Sequence, residues 1–123
     1  MKKILLISCV LLSACSGVTQ TPTVGAREGV AAAAAVYSTA WTGFRAYAQL
    51  PRCNPAPEPC KEPALVVDLG TKLILARDAI DRARDVVNLL PEGKAPTAEQ
   101  QAIIDAAKAA AANAASATQG VGQ

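Results

Sequence analysis

Histidine is absent from the 123 residues, and the aromatic residues number only one tryptophan, two tyrosines and one phenylalanine. The missing imidazole removes His-based catalytic triads, imidazole metal sites and the usual proton switch near neutral pH. A glycine-rich phosphate loop is lacking too, and Asp78, Asp81 and Asp85 fall on a charged helical face with arginines between them. Paired carboxylates in a desolvated pocket, which general acid–base chemistry needs, are therefore not indicated. These gaps predict a protein that is not an enzyme and that holds no metal and no cofactor. No apolar run reaches the roughly 20 residues of a bilayer-spanning helix. Ile4 to Leu12 is far shorter, and Arg45 interrupts the alanine-rich stretch around it.

What is present begins with the N-terminus. Met1-Lys2-Lys3 is a short positive segment, Ile4 to Leu12 is apolar apart from Ser8 and Cys9, and Leu12-Ser13-Ala14-Cys15 follows, then Ser16-Gly17. Positive start, short apolar stretch, small residues and cysteine stand in the order of an export signal. An ordinary secretory signal and a buried N-terminal helix are the competing readings. Over residues 1 to 17 the pattern resembles the lipobox signal of bacterial lipoprotein precursors. That resemblance implies that the Cys15 thiol takes a diacylglyceryl group and that cleavage follows Ala14. The new N-terminus is then acylated, commonly with palmitate, and Cys9 leaves with the signal. Each buried methylene contributes about 0.8 kcal/mol, so two or three chains together anchor a protein durably without spanning the membrane. In the enterobacterial lipoproteins that the signal resembles, Asp after the cysteine favours inner-membrane retention. Ser16 stands there, which implies the periplasmic face of the outer membrane.

Removing residues 1 to 14 leaves 109 of the 123, enough for one small domain. Lys2 and Lys3 go with them, leaving ten of the twelve Lys and Arg against ten Asp and Glu. With no excess of positive charge, a nucleic-acid footprint is not expected. The remaining cysteines are Cys53 and Cys60, within Pro51-Arg52-Cys53-Asn54-Pro55-Ala56-Pro57-Glu58-Pro59-Cys60. The spacing is wrong for a two-cysteine redox motif, and zinc would lack ligands. An exported compartment oxidises such a pair, so a structural disulfide closing the loop is expected. Free thiols and an intermolecular bond are the alternatives.

The rest reads as an all-α fold, a small alanine-rich three-helix bundle after a flexible tether. The tether is residues 15–25, small, polar and uncharged. The first helix spans about 26–49, with Glu28 near its start, where a carboxylate suits the helix dipole. Val30, Ala33, Tyr37, Trp41 with Ala40, Phe44 and Ala48 form its stripe, read as core in preference to a ligand or membrane-interface face. The second helix spans about 63–90, with Pro63 at the first position. Its stripe is Val66, Leu69, Leu73, Ala76, Ile80, Ala83, Val87 and Leu90, flanked by Leu65, Leu75, Val86 and Leu89 on one side and Val67 and Ile74 on the other. A stripe this wide predicts a middle helix covering two neighbours, while Gly70 invites a close helix contact. Arg77 with Asp81, and Asp78 with Arg82, are spaced as surface ion pairs. Pro91 to Pro96 is a turn, and Thr97-Ala98-Glu99-Gln100 is a capping box opening a third helix over about 97–118. Ile103, Ala107, Ala110, Ala114 and Ala117 form its expected buried row, with residues 119–123 frayed.

Alternating steps of three and four in a tethered lipoprotein resemble the major outer-membrane lipoprotein, a trimeric coiled coil joined to peptidoglycan through a C-terminal lysine. The present chain departs from it in ending at Gln123 and in carrying breakers at Pro51 to Pro63 and Pro91 to Pro96. Phage outer-membrane spanins are similar in the signal and in the Pro51 to Pro63 loop. The expected function is a non-catalytic structural or protein-binding role in the cell envelope, with an envelope protein as partner. The alternative is a phage- or plasmid-derived role in lysis or exclusion. Arg45, Gln49, Arg52 and Glu58 are the candidate partner contacts, because loops on rigid scaffolds commonly carry recognition.

Overall fold

The computed structural model describes residues 21–54 and 58–121. The signal, Cys15 and the tether up to Gln20 lie outside the described residues, as do Pro55 to Pro57 and the last two residues. Three helices follow one another: α1 (Pro22–Ala48), α2 (Pro63–Leu89) and α3 (Ala98–Gln119). Every pair of them packs directly. The protein is thus an up-down-up three-helix bundle with its Cys53–Cys60 loop closed by a disulfide. Among the described residues, no helix is long and apolar enough to cross a membrane.

The core follows a strict alternation of three and four. In α1 it runs through Thr23, Ala26, Val30, Ala33, Ala40 and Tyr47, with Tyr37 and Phe44 half-buried in the same series. In α2 the buried set is Leu69, Leu73, Ala76, Ile80, Ala83 and Val87, continued by Leu90 beyond the helix. In α3 it is Ile104, Ala107, Ala111, Ala114 and Thr118. Three stripes of this period let side chains interleave along nearly parallel or antiparallel axes. Among the described residues, eight of the sixteen buried apolar side chains are alanine, so the helices approach closely.

Several expectations are corrected. Trp41 is not core: it is 40% exposed, and Tyr47 is buried instead. The surrounding layer of Ala40, Leu73, Ala76 and Ala114 is small, and Trp41 stands one residue off the repeat. The indole therefore lies outside, between Tyr37 at 6.4 Å and Phe44 at 5.6 Å between ring centroids. α2 is not a central helix, since α1 and α3 also pack on each other. Its flanking residues Val67, Ile74, Leu75 and Leu89 are exposed, because two neighbours set close together are covered by the central stripe alone. In the α3 row Ala107 and Ala114 are buried as expected, while Ile104, Ala111 and Thr118 take the places expected of Ile103, Ala110 and Ala117.

Helix ends explain the boundaries. α1 starts a turn earlier than expected because Pro22 occupies its first position and Thr23 is latched. The buried Thr23 hydroxyl lies 2.8 Å from the Lys94 carbonyl and 3.1 Å from that of Pro91, sharing its proton between them. The turn between α2 and α3 is thereby tied to α1, and residues 22–25 are helix rather than tether. Glu28 consequently lies beyond the first turn, which holds no acidic residue. α3 opens on the capping box: the Gln100 N–H donates to the Thr97 hydroxyl at 3.3 Å, and the Thr97 N–H donates to the Gln100 amide oxygen at 2.9 Å. Gly70 lies under Phe44, whose ring edge would stand 3.7 Å from an added Cβ. On the surface, Arg77 meets Asp81 at 3.7 Å, and Asp81 also meets Arg84 at 3.1 Å. Asp78 and Arg82 are exposed without forming the expected pair; Asp81 takes the available cations instead.

Candidate functional site

The up-down-up course gathers the α1 carboxyl end, the α2 amino end, the α3 carboxyl end and the residue 49–62 connection at one end of the bundle. The α2–α3 turn and Pro22 lie at the other. A 27-residue helix rises about 40 Å, so the two ends are separated by that distance.

The connection is held by a set of short-range constraints. The Cys53–Cys60 bond brings the two Cα atoms to 4.9 Å. Outside it, the Lys61 N–H donates to the Pro51 carbonyl at 2.8 Å, and the Cys53 N–H to the Lys61 carbonyl at 3.1 Å. These bonds form a single bridge between Arg52 and Lys61. The Lys61 ammonium donates to the Ala48 carbonyl at the end of α1. A cation there satisfies an orphaned carbonyl and the helix dipole together. The phenol of Tyr47 accepts the Glu62 N–H at 2.9 Å. A buried ring with its hydroxyl on the chain just before α2 thus joins the loop to the core.

Between this loop, α1, α2 and the end of α3 lies an open groove of about 840 Å³. Tyr47, Leu50, Leu65, Pro59 and the disulfide make its apolar walls, and Gly43, Thr118 and Gly120 lie along the α1–α3 side. Among the described residues, the charged ones lining it are Glu58 and Glu62. The Thr118 hydroxyl is turned inward on its own helix, bonding the Ala115 carbonyl at 2.9 Å and that of Ala114 at 3.1 Å.

The four candidate contact residues separate here. Arg45 is exposed on the last turn of α1, where its charge suits the helix end. Gln49 is the C-cap of that helix, its N–H donating to the Arg45 carbonyl at 3.2 Å. Arg52 is exposed on the loop, and Glu58 lines the groove, whereas Arg45, Gln49 and Arg52 lie outside its lining. Sequence reasoning missed Tyr47, Glu62, Leu65 and Thr118. The seven-residue row Ala26, Ala33, Ala40, Tyr47 carried the signal for Tyr47, and Thr118 continues the α3 row in the same way. Compared with known proteins, the chain matches no family model, no curated protein and no solved structure.

Proposed function

We propose that the chain is a bacterial lipoprotein, held by lipid on Cys15 at the periplasmic face of the outer membrane. It acts there without turning over a substrate, by presenting the disulfide-clamped end of its bundle to another envelope protein. The anchoring part rests on Leu12-Ser13-Ala14-Cys15. The observation that carries the presenting part is the polarity of the fold. Pro22, six residues after Ser16, opens α1 at one end, and the clamped loop lies about 40 Å away at the other. Six residues span at most about 21 Å even when fully extended. The near end, with its α2–α3 turn, would then stay beside the headgroups while the loop end points away.

Two measurements test this reading. In metabolic labelling with a fatty-acid analogue, wild type takes label and Cys15→Ala does not; a labelled alanine variant would end the lipidation assignment. A form exported by a non-lipoprotein signal is then compared with wild type in whatever phenotype gene deletion produces. Tethering predicts that the soluble form does not rescue at native abundance, and full rescue would refute the mechanism.

A further inference from the structure

We propose that the tether end of the bundle is itself a membrane-contact surface, with Val24 and Leu89 entering the headgroup boundary of the bilayer and holding the three helices end-on to it. This rests on the reading of Cys15 as lipid-bearing and adds to it a direct contact between the folded chain and lipid.

Among the described residues, no large apolar side chain is more exposed than Leu89, at 80%, and it is the last residue of α2. Val24, also exposed, stands in the first turn of α1. Two bonds bring these turns together: Arg27 reaches the Val87 carbonyl at 3.3 Å, and the Thr23 hydroxyl reaches that of Pro91 at 3.1 Å. Pro91 to Ala95 extends the same end as an exposed turn. An interfacial depth of about 5 to 10 Å takes in both the turn and the end of α2. At most about 21 Å of chain separates Ser16, beside the lipid-bearing residue, from Pro22. Anchoring there makes the second contact intramolecular, so even two apolar side chains meet lipid at a high effective concentration. Charge does not select the surface. Within two turns of this end, Arg27, Arg84 and Lys94 stand against Glu28, Asp85, Glu92 and Glu99, so anionic lipid is not attracted. The apolar pair makes the contact, and its position sets the tilt. Asp78, Arg82 and Asp85 precede Leu89 on the same outer face of α2, and all three are exposed. A bundle lying along the bilayer on that face would press these charges into lipid, whereas an end-on bundle keeps them in water. The other exposed apolar residues of α2, Val67, Ile74 and Leu75, lie beyond them towards the clamped end.

The test uses the full chain purified from bacterial membranes, whose mass first reads the lipid adduct on Cys15. It is placed in nanodiscs of phosphatidylcholine brominated near the headgroup end of the acyl chains, where bromine quenches indole emission at short range. Trp41 of the wild type, about 28 Å along α1 from Pro22, should keep its emission. In a Trp41→Phe background, Ala95→Trp in the exposed turn should lose about half its emission, as a ring lodged at interfacial depth would, and Ile74→Trp should lose little. Adding Val24→Ser with Leu89→Ser should restore most of the Ala95→Trp emission. Melting of these variants should match wild type, since every substituted side chain is exposed. Raising the salt should leave the quenching as it is. Four results overturn the proposal: equal quenching at positions 95 and 74, quenching of Trp41 in the wild type, no effect of the serine pair, or quenching lost in high salt. With the adduct on Cys15 present, any of these removes the contact and leaves the lipid anchor standing; a mass without the adduct removes both.

Discussion

Leu73→Ala is the substitution on which the packing account stands most exposed. Leu73 is 0% exposed in a layer whose other buried members are Ala40, Ala76 and Ala114. Replacing leucine by alanine in a core costs about 3 to 5 kcal/mol, with the value rising as the cavity fails to collapse. Alanines have no rotamers with which to fill a hole. The side chains able to move are Tyr37 and Phe44 at the layer's edge, and each is held against Trp41, Tyr37 stacked and Phe44 tilted. The cost should therefore fall in the upper part of that range, about 4 kcal/mol, against a total of about 5 to 10 for a domain of this size. Each kcal/mol moves the Tm of such a domain by roughly 4 to 8 °C, so a fall of about 15 to 30 °C is expected. Helical circular dichroism followed through thermal and urea unfolding reads it directly. Leu75→Ala is the internal control: two residues along the same helix and 61% exposed, it should cost under about 0.5 kcal/mol. A loss below about 2 kcal/mol for Leu73→Ala, or equal losses for the two variants, would refute the claim that the small-residue layers cannot rearrange.

Ile80→Asp places an unpaired carboxylate at a 2% exposed position and should unfold the bundle, whereas Arg82→Ala, on the exposed face of the same helix, should leave its melting nearly unchanged. Gly25→Ala and Gly70→Ala should each raise stability by about 0.5 to 1 kcal/mol in urea titrations, because an added Cβ meets nothing at the first and ordinary contact with Phe44 at the second. Gly93→Ala should do the opposite by about 1 kcal/mol, since Gly93 sits at φ 74° in the α2–α3 turn. Replacing Cys53 and Cys60 together by alanine should lower stability by roughly 2 to 3 kcal/mol on the chain-entropy account while helix content at room temperature stays unchanged; lost helicity would show that the disulfide is needed to form the bundle.

The three helices, their order, the capping box and the disulfide pairing were legible from residue types alone. Each depends on local chemistry: proline at a first position, threonine and glutamine three residues apart, two cysteines across a proline-rich loop. Phase was legible only where side-chain size distinguishes faces. In α2 the leucines, isoleucine and valines recur among charged residues, and the buried row coincides with the expected one from Leu69 to Leu90. In α3 nearly every neighbour is alanine, and Ile103 stands beside Ile104, so hydropathy does not choose between rows one residue apart. In α1 the expected stripe held Ala40 and Trp41 together and ended on Ala48 in place of Tyr47, because hydropathy does not choose between adjacent apolar residues. Burial followed the space available and took Ala40 and Tyr47. The groove was hidden for a different reason. Tyr47, Glu62, Leu65 and Thr118 are distant in sequence and meet only because three helix ends converge.

A bundle built largely from alanine buries modest apolar area per residue, so its ends need ties other than hydrophobic mass. The structure supplies them as bonds between segments. Arg27 reaches from α1 to the Val87 carbonyl in the last turn of α2 at 3.3 Å, a turn with no basic residue of its own. Thr23 joins α1 to the α2–α3 turn at that same end. At the opposite end, Lys61 on Ala48 and Tyr47 on Glu62 do the corresponding work around the disulfide. Each tie satisfies a backbone group that a helix end or loop would otherwise leave without a partner. The ties at the disulfide end hold Lys61 and Glu62 against the last turn of α1 in the folded chain itself. The cost of ordering these four residues then falls at folding and not at any later association, which is how preorganisation favours a presented surface.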